Sequence, residues 1–198
     1  LYQPIQSVGQ LSYNSQSYAA QTYYYEPGKP VIRFAWNRSD IPGAPFNGSM
    51  CTPTEMTLKK HGDRYYLSAL PIKSTENLVV KSDKLDDFTL THCTHELGSK
   101  TCRISFTVKE GDLTCNLYGL EMKLDKNGLT CGESILPRLK NEPMKVDIIT
   151  DTNSVEIYLN GVANTVIAHV PDETKPTFTI HAEDPVEVQN LTVSELSL

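Results

Sequence analysis

The sequence predicts an all-β fold: an antiparallel β-sandwich preceded by a short separate group of strands. Three observations carry this. Almost every strong apolar pattern has period two, turn-forming residues interrupt the chain at short intervals, and no segment keeps a sustained 3.6-residue apolar period. Short alternating strands suit two facing sheets, because each strand buries every second side chain against the opposite layer.

The first element is "QSYAAQTYYYEPGKPVIRFAW", two strands around a turn at Glu26-Pro27-Gly28-Lys29. Ser39–Pro53 follows, with Pro42, Gly43, Pro45, Gly48 and Pro53, residues that break regular structure. "EMTLKKHGDRYYLSALP" is the next strand pair, turning at His61-Gly62-Asp63. "TENLVVKSDKLDD" (75–87) is the best helix candidate in the chain.

The strongest alternation is "RISFTVK", where Ile104, Phe106 and Val108 share one face and Arg103, Ser105, Thr107 and Lys109 the other. "LTCNLY" repeats it with Leu113, Cys115 and Leu117, and the turn Glu110-Gly111-Asp112 between them predicts a hairpin. Asn127-Gly128 joins "LEMKLD" to "LTCGES". Asn160-Gly161 carries the type I′ signal within "SVEIYLNGVANTVIAHV". There Val155, Ile157 and Leu159 form the apolar face, and Glu156 and Tyr158 the other. The alternating "VEVQNLTVSELSL" is suited to close a sheet.

The expected organisation is therefore residues 1–38, a linker at 39–53, and a sandwich at 54–198. The last part is large enough to bury a core, hiding roughly two-thirds of its unfolded surface. Two or three strands are marginal alone in water, so residues 1–38 must pack on the sandwich or belong to a larger unit.

The bulk composition narrows the function. A net charge of −6 with no basic stripe argues against nucleic acid, and no run of about 18 apolar residues argues for a membrane helix. The chain opens on Leu1 without an n-region or h-region, which reads as a mature product, a proteolytic fragment or a piece of a longer protein. Five cysteines at irregular spacing make a poor disulfide framework and suggest free thiols in an intracellular or other reducing setting. Sequons stand at Asn37, Asn47 and Asn190.

Catalytic constellations are weak. His92, Cys93, His95 and Cys102 lie close in sequence, but no CxxC pair accompanies them, and Cys102 shares the apolar parity of Ile104 and Phe106. Cys115 sits on a core face, where a thiol behaves as a small hydrophobe rather than a nucleophile. Asp86-Asp87 and Glu183-Asp184 lie in polar turns, not in contexts that raise an acid's pKa. No phosphate loop, nucleophile elbow or HExxH is present. No metal or cofactor is expected. Tyr18, Tyr23, Tyr24, Tyr25 and Trp36 crowd the first strands, and aromatic faces suit sugar rings. By spacing alone, Trp36 belongs to the core with Ile32 and Phe34.

Four segments, in order, resemble glycoside hydrolase family 32, the β-fructosidases. Tyr18-Ala19-Ala20-Gln21-Thr22 matches a Y-A-A-Q-T-F run, and Ala35-Trp36 a strand ending in G-W. Gly48-Ser49-Met50 through Pro53-Thr54-Glu55-Met56-Thr57-Leu58 matches G-x-M-S-x-P-R-E-L-T-L, and "VDIITDTNSVEIYLNG" matches D-x-S-S-V-E-V-F-x-N-D-G. Thr54 stands where members usually carry Arg, Ala35 where they carry Gly, and Ser17 near a common Asp.

The resemblance implies a five-bladed β-propeller followed by a concanavalin/lectin-like β-sandwich. Residues 1–38 would be a remnant of the final blade and 54–198 the sandwich. The family motifs W-M-N-D-P-N-G, R-D-P and E-C, which carry its nucleophile, transition-state stabiliser and acid/base, do not occur here. The resemblance thus implies no catalytic residue in this chain, which alone would be inactive, and a parent enzyme that cleaves β-fructosidic bonds in sucrose or fructans. The implied partners are a fructose-containing saccharide and an N-terminal propeller domain or chain. It places Trp36 at the wall of the fructose pocket. The alternative from the residues themselves is a non-catalytic sugar-binding or interaction module.

Overall fold

The computed structural model describes residues 9–14, 16–23, 27–41 and 43–197. Tyr24, Tyr25 and Glu26 of the tyrosine run and its turn, and Pro42 of the loop, lie outside the described residues. Among the described residues sixteen strands follow one another: β1 (Ser17–Thr22), β2 (Val31–Asn37), β3 (Ser49–Met50), β4 (Thr54–His61), β5 (Arg64–Pro71), β6 (Val79–Lys84), β7 (Phe88–Glu96), β8 (Cys102–Val108), β9 (Leu113–Leu117), β10 (Leu120–Asp125), β11 (Gly128–Cys131), β12 (Ser134–Pro137), β13 (Met144–Thr150), β14 (Ser154–Leu159), β15 (Ala163–Ala168) and β16 (Thr177–Leu196). No helix among the described residues is long and apolar enough to cross a membrane.

Strands β1 to β5 form an N-terminal antiparallel sheet in the order β1-β2-β4-β5, with β3 also on β2. This sheet runs across the Ser39–Pro53 segment. Val31 pairs with Met56 and Arg33 with Thr54, so Thr54–Pro71, expected with the sandwich, hydrogen-bonds into the sheet of β2. The loop is thus an excursion between neighbouring strands, and the sheet ends at Pro71. Beyond it, the expected helix at 75–87 is a single 3-10 turn, Lys73–Leu78, followed by β6. Val79 and Val80 are β-branched and favour the extended state, and β6 gains a full ladder against Thr192–Leu196.

The sandwich is built around β16, which runs for 20 residues and serves both layers. Its first part, Phe178–His181, lies between β7 and β9. At Val188 it lies between β8 and β7, and its last part, from Thr192, between β8 and β6. Register breaks between His181 and Val186 and between Gln189 and Thr192 let it bend from one layer into the other. One layer continues β9-β10-β11-β12, the other β8-β13-β14-β15. The facing sides supply the core: Ile104, Phe106, Met122, Leu124, Ile148, Ile157, Phe178 and Ile180 are each buried. Phe178 and Phe106 meet across it with ring centroids 6.0 Å apart.

This arrangement corrects the β8–β9 hairpin. The two strands do not pair: β8 bonds to β13 and β16, and β9 to β10 and β16. Their apolar faces are both fully buried, so Glu110-Gly111-Asp112 carries the chain across the sandwich from one layer to the other. The β10–β11 hairpin forms, but its turn centres on Lys126-Asn127, with Asp125 paired to Gly128 and the Asp125 carboxylate accepting the amides of Asn127 and Gly128. At β14–β15 the expected turn stands: Asn160 and Gly161 both have positive φ, 53° and 69°.

Candidate functional site

The N-terminal sheet meets the outer face of the sandwich layer that contains β14 and β15. Tyr13 N–H donates to Asn164 O at 2.8 Å and Asn164 N–H to Leu11 O at 2.8 Å, covering the β15 edge. Ala69 N–H donates to Gly161 O at 2.8 Å, and Asn153 Nδ2 donates to Asp40 O at 3.2 Å. Ala35 and Cys51 pack on Val166.

Glu156 lies at the centre of this junction. Val155, Ile157 and Leu159 of its strand enter the sandwich core, so Glu156 and Tyr158 face outward. Both are nevertheless buried, Glu156 at 8 % and Tyr158 at 3 % exposure: the N-terminal part covers Glu156 through Thr52, while Tyr158 packs with Ile149, Leu196, Leu78 and Val79. Thr52 donates its amide (2.7 Å) and its hydroxyl (2.8 Å) to Glu156 Oε1, and the Tyr158 hydroxyl donates to Oε2 at 2.7 Å. Burial pushes the Glu156 carboxyl pKa up; the bonds from Thr52 and Tyr158 pull it down by less.

Beside Glu156 is a cavity of about 300 Å³, lined among others by Phe34, Met50, Thr52, Arg103, Ile149 and Leu196. Arg103 is held by Asp147, Nε to Oδ1 at 2.9 Å and Nη2 to Oδ2 at 2.7 Å. The Asp147 hydrogen bond keeps the guanidinium firmly charged despite its partial burial.

Trp36 stands on the exposed side of this region. Its neighbours in sequence, Ala35 and Asn37, are each 1 % exposed, whereas Trp36 is 40 % exposed. The core position expected from parity is therefore corrected: the buried side of this strand end is the one carrying Ala35 and Asn37, which turn towards the junction and the loop. Asn37 donates to Ser49 Oγ at 3.3 Å and accepts from Ser39 N–H and Oγ, which closes its sequon within the fold. Across the sheet Trp36 is opposite Tyr18 on β1 and Met50 on β3. These are 59 % and 60 % exposed and form an apolar strip with it. Arg38 sits over the Tyr18 ring at 5.3 Å, a cation–π contact. Gly48 has φ +80°, and a Cβ there would lie 2.1 Å from Trp36 Nε1, so only glycine lets the loop approach the indole. Tyr23 packs edge-on against Phe34 at 4.5 Å.

The other candidate residues are scattered. His92 bonds Thr94 Oγ1 at 3.1 Å and its ring lies 6.1 Å from that of His181, while His95 pairs with Asp83 at 3.6 Å. Cys102 turns the other way, into the core. Among the described residues no group of three or more His, Cys, Asp or Glu side chains is placed to hold a metal ion. The cysteines are free thiols, with Cys51, Cys102, Cys115 and Cys131 buried and Cys93 half-buried. Burial pushes Cys51 and Cys102 up to about 12 and Cys131 up to about 11, so none of these is poised as a thiolate. Asp87 accepts the amide of Asn190 at 2.9 Å, and Glu183 and Asp184 line an open cleft with His181.

The fold and site thus define an all-β chain in which a small antiparallel sheet docks on a β-sandwich through a buried carboxyl. No family model and no curated protein matches the chain. Solved structures do. The exo-inulinase of Aspergillus awamori superposes with a TM-score of 0.73 at 14 % identity, over 99 % of this chain and 46 % of that one. The β-fructofuranosidase of Schwanniomyces occidentalis, complexed with fructosyl-erythritol, gives 0.73 at 16 %, over 100 % of this chain and 51 % of that one. The sucrose-6-phosphate hydrolase of Lactobacillus gasseri gives 0.72 at 14 %, over 92 % and 41 %. The fold is that of the C-terminal part of these proteins. The chain spans about half the length of the structures it matches.

Proposed function

We propose that this chain is the C-terminal part of a β-fructosidase of glycoside hydrolase family 32, acting on sucrose or fructans. One observation carries the reading. The four sequence segments that resemble that family fall, in order, in a chain that shares the fold of fructoside-acting hydrolases over 92 to 100 % of its length. In the parent, bond cleavage would proceed with retention through a covalent fructosyl intermediate, on carboxylates upstream of Leu1. The role of this part is structural and accessory.

The N-terminal sheet is then the final propeller blade. A four-stranded antiparallel sheet is the unit of a blade, and the order β1-β2-β4-β5 supports extending that blade through Pro71, beyond the 1–38 remnant and across 39–53. The exposed Tyr18, Trp36 and Met50 strip is apolar surface that a neighbouring blade or a fructosyl unit would cover. Trp36 is assigned to the substrate, stacking its ring on a sugar face. Its partners are the rest of the propeller and a fructose-containing saccharide.

The isolated chain should not turn over sucrose, inulin or levan; turnover would overturn the assignment of chemistry to the missing part. Expressed with the polypeptide encoded directly upstream, it should form an active complex. There Trp36→Ala should raise KM about tenfold, the size of one lost contact of about 1.4 kcal/mol. The exposure of Trp36 also favours a second reading, a non-catalytic sugar-binding module. Calorimetric titration of the isolated chain with fructans separates the two: binding abolished by Trp36→Ala supports the module, and no heat in either protein removes it.

A further inference from the structure

We propose that Glu156 is a proton-controlled latch between the N-terminal sheet and the sandwich, and that the junction is held more tightly when its carboxyl carries a proton. The proposal rests on the interface geometry and not on the fructosidase reading.

Glu156 projects from the sandwich into a contact that Thr52, from the N-terminal part of the chain, closes. Two of the three hydrogen bonds described for it come from Thr52, on the short connection between β3 and β4, and the third from Tyr158 on its own strand. All three donors are neutral. The charged and titratable groups around it give little compensation. Asp151, from the β13–β14 loop, repels a charge on Glu156, and the Cys51 thiol faces it from the N-terminal sheet. Arg33 acts on Cys51 from β2. Arg103, across the cavity from β8, is engaged by Asp147 of β13.

A charge on Glu156 is therefore stripped of water when the junction closes and regains it when the junction opens. Desolvation makes the closed state bind the proton more tightly than the open state does. By linkage, protonation favours closure. The sign follows from a raised closed-state pKa. The stabilisation is complete below the open-state value of about 4.3 and is lost as pH rises through the closed-state value. In the neutral acid Oε1 stays an acceptor for both Thr52 donors, and a proton on Oε2 can be donated to the Tyr158 oxygen, replacing the bond that the phenol donates to the carboxylate.

Hydrogen exchange of the Thr52 amide tests this on the 198-residue chain, because its bond to Oε1 breaks when the junction opens. Between pH 8 and about 4, with intrinsic rates divided out, protection should rise on acidification. The full rise is about tenfold for each unit by which the closed-state pKa exceeds the open-state one. Glu156→Gln should flatten the profile. Independently of any variant, the Glu156 carboxyl carbon followed by NMR in the unmodified chain should titrate above the ordinary glutamate range. Protection that falls on acidification, a pH profile unchanged in Glu156→Gln, or a carboxyl that titrates at or below the ordinary range would each overturn the latch.

Discussion

Arg103 of β8 reaches diagonally across to Asp147 of β13 on the outer side of the sandwich, and their forked pairing closes with both contacts at or under 2.9 Å. The side chains are 23 % and 14 % exposed, so the pair is largely shielded from solvent. Removing one partner leaves a half-buried charge without its counter-ion. Asp147→Ala should destabilise the chain by about 1.5–3 kcal/mol, the range for a hydrogen bond to a charged group. Urea unfolding would show it as a lower midpoint with an unchanged slope.

Gly48 predicts a spectroscopic effect. Gly48→Ala must push its new methyl group into the Trp36 indole and the Asn37 carbonyl, and it also forces a left-handed φ on alanine. The strain is about 1–3 kcal/mol. Trp36 is the one tryptophan of the chain, so its displacement is read directly as a shift of the emission maximum.

The thiols should separate cleanly by burial. With an aromatic disulfide reagent at pH 8, Cys93, half-buried on β7, should react first. Cys51, Cys102, Cys115 and Cys131 should react only after unfolding in guanidinium, because burial holds them as neutral thiols. Fast labelling of a buried cysteine in the folded chain would contradict the packing described.

Phe178 tests the sandwich core. It lies on β16 between the layers, is 1 % exposed and touches Phe106. Phe178→Ala should cost about 3–5 kcal/mol through the lost burial and the cavity left behind. Calorimetry would register this as a large fall in Tm.

Much of the strand content was legible because period-two alternation is a local signal. "RISFTVK" and "LTCNLY" have the predicted faces, with Ile104, Phe106, Val108, Leu113, Cys115 and Leu117 all buried. Pairing was not local. The short polar turn at Gly111 reads the same for a hairpin as for a crossing between layers. What decides is β16, which takes up the ladder positions of both strands from about 60 to 90 residues further along. Val79 and Val80 fit a helix by local pattern because their strand partners, near Glu195 and Leu196, are more remote still. The junction was hidden for a related reason. Glu156 and Tyr158 occupy the polar face of an alternating strand, the usual solvent side, and it becomes an interior only because Thr52 covers Glu156 and Leu78, Val79 and Leu196 pack on Tyr158. The one signal was Tyr158, an aromatic where the pattern calls for charge. Trp36 was misplaced by parity because at its strand end the buried side is that of Ala35 and Asn37.

The dual service of β16 has a consequence for biosynthesis. Strands β6 to β9 emerge from the ribosome long before the segment that bridges them, and β8 and β9 have no ladder with each other. Until Thr177–Leu196 is made, these strands present open edges and unshielded apolar faces, a state prone to mispairing. Closure then depends on contacts between residues far apart in the chain, which makes it slow. The two layers must therefore wait for one late strand.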